Sequence, residues 1–131
     1  MEKVQRSPEI ATAQATWESS ALAGTNTFWS NLEAIELKSK GGATIDKLRD
    51  DSILVSGKNP DQDTYTLVLT NSLAVITGLR LETIPDGRFA AKGAGRSDSG
   101  NAVITDFAAL VGGRKISFQR ASADYTQQGF S

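Results

Sequence analysis

From Leu32 onward, apolar and polar residues alternate along the chain, and this alternation predicts strands rather than helices. The clearest case is Thr64–Thr70, where Tyr65, Leu67 and Leu69 share one face and three threonines share the other with Val68. A side-chain repeat of two marks a strand with one face turned toward a core. Leu32–Lys38 repeats the pattern, with Ile35 and Leu37 on one face, until Gly41-Gly42 breaks it. Ala43–Arg49 and Ser52–Gly57 flank Asp50-Asp51, which suits a short hairpin turn, although Asp-Gly would suit it better. Asn59-Pro60-Asp61 signals another turn.

Leu79 and Leu81 face inward if Arg80 and Glu82 face outward. Val103, Thr105, Phe107, Ala109 and Val111 form a further set, and Gly112-Gly113 then turns the chain into Lys115–Arg120, where Ile116 and Phe118 point one way. The count is about seven strands, each with one apolar face. Stacking two antiparallel sheets buries such faces, so the expected fold is mainly β, an antiparallel β-sandwich. Trp29 and Tyr65 are expected in its core, with the Tyr65 hydroxyl at the rim.

The start of the chain reads differently. Ser7-Pro8-Glu9 offers an N-cap, a proline at the first helical position and an acid in the first turn. An alanine-rich stretch follows to Ala23, with Gly24 placed to end it, and Ile10, Ala13 and Trp17 fall on one helical face. The expected organisation is a short N-terminal helix or linker over residues 1–27 and a β-sandwich domain over 28–131.

Composition narrows the chemistry. The 131 residues suffice for one domain with a real core, and 39% apolar with 22% charged residues describes a soluble globular chain. The net charge of −1 leaves no broad basic field for nucleic acid. No apolar run approaches the roughly 18 residues needed to span a bilayer, so membrane insertion is not expected. Cysteine and histidine are both absent, which removes thiolate and imidazole metal ligands and the commonest nucleophile–base pairs. Catalysis would rest on carboxylates, Lys or Tyr. A glycosidase needs two carboxylates roughly 5–10 Å apart across a cleft. None of the 15 acidic residues stands in a recognisable catalytic setting, so no enzymatic activity is expected. MEKVQRSPEI has no apolar h-region, so no signal peptide is visible; the whole is expected to be a segment excised from a longer protein, whose ends say nothing about targeting.

The candidate site is the glycine-rich segment 85–101, PDGRFAAKGAGRSDSGN, which joins two strand-like stretches. Connections of this length in compact domains usually have a function or span between sheets. Arg96, Ser97, Asp98 and Asn101 supply the donors and acceptors that vicinal sugar hydroxyls require, and Phe89 offers a ring for the C–H face of a sugar. Alternatively, Asp98 and Asn101 bond their own loop backbone while Arg96 pairs with Asp86 or Glu82. Gly93-x-Gly95 is not a nucleotide signature, because no P-loop lysine follows it and no βαβ unit surrounds it. Arg80, Glu82 and Asp106 alternate outward and form either a ligand wall or ordinary cross-strand ion pairs. Asn59, Asp61 and Asp63 place oxygen ligands at alternate positions, the chemistry calcium prefers, or else form a solvated turn. No other cofactor is expected.

A resemblance adds to this reading. Trp29, Gly42-Ala43, Asp50-Asp51-Ser52, Ser56-Gly57, Asp63-Thr64-Tyr65, Leu79–Glu82, Gly93–Arg96, Gly100-Asn101 and Ala123–Gln127 occur in order over most of the chain. This series resembles a domain of large exported planctomycete proteins, in which it accompanies cytochrome c-like modules. The sequence departs from that pattern at Asp51 (for glycine), Ala94 (for proline) and Ala102 (for phenylalanine). The resemblance implies a jelly roll similar to galactose-binding-like modules. It also implies export to the periplasm or beyond, neighbouring domains in a larger protein, and a non-catalytic attachment to polysaccharide. The same domain type also fits a structural or protein-interaction role.

Overall fold

A computed structural model describes residues 28–126 and Gly129; the helix expected within residues 1–27 lies outside the described residues. The chain divides into two compact units, Met1–Leu73 and Ala74–Ser131. Among the described residues the structure is mainly β, in three two-stranded antiparallel sheets, with one 3-10 turn at Ala90–Lys92 as the helical element.

The first unit holds four strands: β1 (Glu33–Ser39), β2 (Ala43–Lys47), β3 (Ile53–Gly57) and β4 (Tyr65–Thr70). β1 pairs with β4, and the β2–β3 hairpin lies between them in sequence. The register sets Leu37 opposite Leu67 and Ser39 opposite Tyr65. Between Ala34 and Glu36 the register shifts, so Ala34 rather than Ile35 stands opposite Leu69. Ile35 is the extra residue of a bulge, which alternation alone does not reveal.

The turn between β2 and β3 is longer than a two-residue hairpin. The Leu48 N–H donates to Ser52 O at 2.8 Å and the Asp51 N–H donates to Leu48 O at 3.2 Å, leaving three residues in the loop. This is the arrangement in which a turn is followed by one left-handed residue. Asp51 occupies that position with φ 66°, at the point where the resembled pattern has glycine.

A corner locks the two ladders together. The Asp63 carboxylate accepts from the Gly41 N–H at 2.6 Å and the Thr64 N–H at 2.7 Å through Oδ1, and from the Ser39 hydroxyl at 2.5 Å through Oδ2. Ser39 Oγ in turn accepts from the Ala43 N–H at 2.8 Å, and Lys40 N–H donates to Thr64 O at 3.0 Å. One carboxylate therefore ties the end of β1, the bend into β2 and the approach to β4. Gly41 is required there, because a Cβ would lie 2.6 Å from Pro60 Cγ and 2.9 Å from Asp63 Cγ.

The second unit carries the hairpin β5 (Leu110–Val111) and β6 (Arg114–Lys115). Gly112 and Gly113 have φ of 56° and 80°, the two positive values that a type I′ turn requires. Ile116 N–H donates to Ala109 O at 2.9 Å, extending the ladder. Two residues further from the turn on each side, Phe107 meets Phe118 with ring centroids 5.7 Å apart. The strands expected at Leu79–Glu82 and Val103–Phe107 are not formed. An alternating segment becomes a strand only where a neighbour completes its hydrogen bonds, and these segments have none.

No apolar side chain among the described residues is buried. Trp29 and Tyr65, expected in a core, are 49% and 43% exposed. A two-stranded ribbon gives its side chains lateral neighbours and no layer above them, so the apolar faces of β1 and β4 stay half open.

With the corner so dependent on one carboxylate, Asp63→Ala is expected to cost about 2–4 kcal/mol, since hydrogen bonds to charged groups contribute roughly 1.5–3 kcal/mol each. Asp61→Ala, an exposed neighbour, is expected to stay within about 0.5 kcal/mol. Urea denaturation of the two variants checks this: equal midpoints would remove Asp63 from its structural role.

Candidate functional site

The loop 85–101 is closed by its own backbone. Asp86 N–H donates to Gly93 O at 3.0 Å, Gly95 N–H to Gly100 O at 2.8 Å, and Gly100 N–H to Ser97 O at 2.8 Å. Closure at this distance requires glycine. A Cβ on Gly93 would lie 2.3 Å from Gly100 O, and one on Gly95 would lie 1.9 Å from Asn101 O. Both distances are well inside van der Waals contact with backbone atoms, which cannot swing aside. Gly95 and Gly100 are also the buried residues among those described. The Ser97 hydroxyl braces the turn by donating to Asn101 O at 2.9 Å and meeting Ser99 Oγ at 3.0 Å.

The mouth of the loop is set by Asp86. Its Oδ1 accepts from both the backbone N–H and the Nε of Arg88 at 2.8 Å, and its Oδ2 accepts from Arg88 Nη2 at 2.5 Å. An aspartate binding the amide two residues on is an Asx turn, and Asp86-Gly87-Arg88 is favourable sequence for one. The Arg88 side-chain bonds, then its backbone N–H and its charge, hold the Asp86 pKa down from 3.8 to about 2. This contribution is complete above pH 3.8 and disappears as the pH falls through about 2.

Between these ends, two turns follow one another. Phe89 N–H donates to Asp86 O and Lys92 N–H donates to Phe89 O, both at 3.1 Å. Ala91 and Lys92 adopt φ of 55° and 52°. For L-residues other than glycine the left-handed region costs roughly 1–2 kcal/mol each, so the loop maintains a strained presentation at this point.

The site residues named from the sequence divide into two groups. Phe89 and Arg96 are half-buried while Asp98 and Asn101 are exposed, and all four lie on this loop. Ser97 is the side chain that braces the turn around Asp98, a role that one of the two sequence readings gave to Asp98 and Asn101. Asp86, one of the two acids offered as a partner for Arg96, is chelated by Arg88, and the other, Glu82, pairs with Arg80. Arg80 and Glu82 pair with each other at 2.8 Å on an exposed segment outside the loop, and Asp106 is exposed on another. The charged strip that neighbouring strands would make is not formed among the described residues, because neither segment is in a ladder.

For the metal candidates, Asp63 directs its carboxylate to Gly41, Thr64 and Ser39, whereas Asn59 and Asp61 are exposed. No group of three or more His, Cys, Asp or Glu among the described residues is placed to hold a metal ion. Sequence reasoning missed two features: the Asp86–Arg88 chelate, for which Asp-Gly was the available signal, and the backbone approach of Gly95 to Asn101. No family model, curated protein or solved structure matches the chain.

Because Arg88 sets the acidity of Asp86, Arg88→Ala is expected to move the Asp86 carboxyl midpoint from about 2 toward 3.8. A carbon-detected NMR titration between pH 1.5 and 6, on the order of the window these values define, reads it. An unchanged midpoint would show that the guanidinium does not hold the carboxylate.

Proposed function

We propose that the chain is a non-catalytic carbohydrate-binding module, built as an antiparallel β-sandwich of the jelly-roll kind, that brings an attached protein to polysaccharide. The observation that supports this most is the glycine-closed loop, which displays Asp98, Asn101, Arg96 and Phe89 on one short, self-bonded segment. A loop whose backbone satisfies itself presents side chains without ordering them at the moment of binding, and that lowers the entropic cost of capturing a weakly held ligand. Planar Arg and Asn groups and a carboxylate suit vicinal hydroxyls, and a half-buried Phe suits the C–H face of a sugar ring. Binding of this kind works by raising local concentration for a linked partner. An exported setting and neighbouring domains accord with the resemblance noted in the sequence.

A second reading, a protein-interaction module, is favoured by a different observation. Leu67, Val68 and Leu69 on β4 are 39%, 39% and 42% exposed, and Leu110 and Val111 on the β5–β6 hairpin are 63% and 68% exposed. Open apolar strand faces are a common basis for protein association.

Affinity electrophoresis through gels containing polysaccharide distinguishes the two. Retardation of the full chain is expected, with Arg96→Ala and Phe89→Ala each losing about 1 kcal/mol or more of binding while melting normally. Unchanged retardation in both variants would remove the loop as the site. Concentration-dependent self-association with no retardation in any gel would favour the second reading.

A further inference from the structure

Among the described residues β4 has one neighbour in its sheet, β1, and its other edge is open. The Lys40 N–H donates to Thr64 O at 3.0 Å, in register with the pairs Lys38–Thr66 and Glu36–Val68. Hydrogen-bonded pairs alternate with unbonded ones along an antiparallel ladder. Thr64, Thr66 and Val68 therefore turn their backbone groups toward β1, and Tyr65, Leu67 and Leu69 turn theirs toward the open edge. Edge strands are ordinarily protected by charges, proline or a bulge. β1 has Glu33, Glu36, Lys38 and the bulge at Ile35, and β2 has Asp46 and Lys47. β3 is uncharged but half-buried from Ile53 to Ser56. β4, with the sequence YTLVLT, has no such device and is exposed along its whole length.

Resting on the protein-association reading of β4, we propose that this edge pairs with the same edge of a second copy of the chain, antiparallel about a two-fold axis at Leu67. The strand is complementary to itself about that point. Leu67 then faces Leu67 of the second copy, Tyr65 faces Leu69, Thr66 faces Val68 and Thr64 faces Thr70. Apolar side chains meet on one face, and threonines meet Val68 or each other on the opposite face, as cross-strand pairing favours. Asp63, the nearest charge, falls opposite Asn71, so no like charges meet. The same register sets the outward backbone groups of Tyr65, Leu67 and Leu69 against one another, which is what bonded pairs require. A self-complementary contact of this kind closes at two copies. Its product is the sheet β1-β4-β4-β1, beyond the two-stranded ribbon that is marginal by itself. The glycine loop takes no part in it.

Sedimentation velocity of the full chain over a range of concentrations tests this, with amide exchange of the same samples as an independent reading. A dimer whose fraction rises with concentration is expected, and the Tyr65, Leu67 and Leu69 amides exchange more slowly as it forms. Leu67→Lys and Leu67→Glu are each expected to weaken association about fivefold or more, because like charges then meet at the axis. An equimolar mixture of the two variants is expected to restore the dimer, since opposite charges then meet; misfolded variants would not be rescued by mixing. Dimers that both variants leave intact, with edge amides unprotected, would overturn the β4 pairing and leave the protein-association reading standing on another surface. A monomer at every concentration would overturn the pairing and that reading together. Where neither variant folds, the unsubstituted chain decides: dimer formation without added protection at the three amides would overturn the pairing.

Discussion

The proposed site depends on one close approach. The backbone at Gly93–Gly95 lies against the backbone at Gly100–Ala102 at a distance that admits no Cβ, with an imagined atom on Gly95 only 1.9 Å from Asn101 O. Everything between those segments inherits its position from that contact. Ser97 and Gly100 turn the chain, Asp98 is held at the outer end, and Arg96 leaves the backbone beside the closure. The polar side chains that read as a binding cup in the sequence are therefore arranged by glycines, which contribute nothing to a ligand directly.

Aspartates serve as the other structural device. Asp63 fastens the corner between β1, β2 and β4, Asp50 Oδ1 accepts from Ser52 N–H at 3.1 Å and Ser52 Oγ at 2.6 Å in the β2–β3 loop, and Asp86 fixes the mouth of the glycine loop. In each case a short acidic side chain bonds a backbone amide at a turn that strands leave unsatisfied. The pattern gives Asp63 and Asp86 a structural reading that competes with calcium ligation and with pairing to Arg96.

How much of this was visible in the sequence follows from what alternation encodes. Strands β1 to β4 fall within a residue or two of the alternating stretches, and Gly41-Gly42 and Gly112-Gly113 turn the chain where expected. Period two reports which residues share a face. It says nothing about whether a neighbour completes the ladder, and so Leu79–Glu82 and Val103–Phe107 carry the pattern without forming strands. The bulge at Ile35 was hidden for a related reason, since register is a property of two strands and the sequence shows them one at a time. Within the site, composition identified the loop and most of its polar residues. It could not separate a glycine that permits a positive φ, such as Gly112, from one that permits contact, such as Gly95, because both appear as the same letter.

The account requires the loop to be built before any ligand arrives. Amide hydrogen exchange of the free protein tests that at two atoms. Gly95 N–H and Gly100 N–H, bonded at 2.8 Å to Gly100 O and Ser97 O, are expected to exchange much more slowly than the amide of Gly87, which lies in an exposed turn. Exchange of both at the rate of an unstructured chain would contradict a preformed platform and leave Arg96, Asp98 and Asn101 without a shared position.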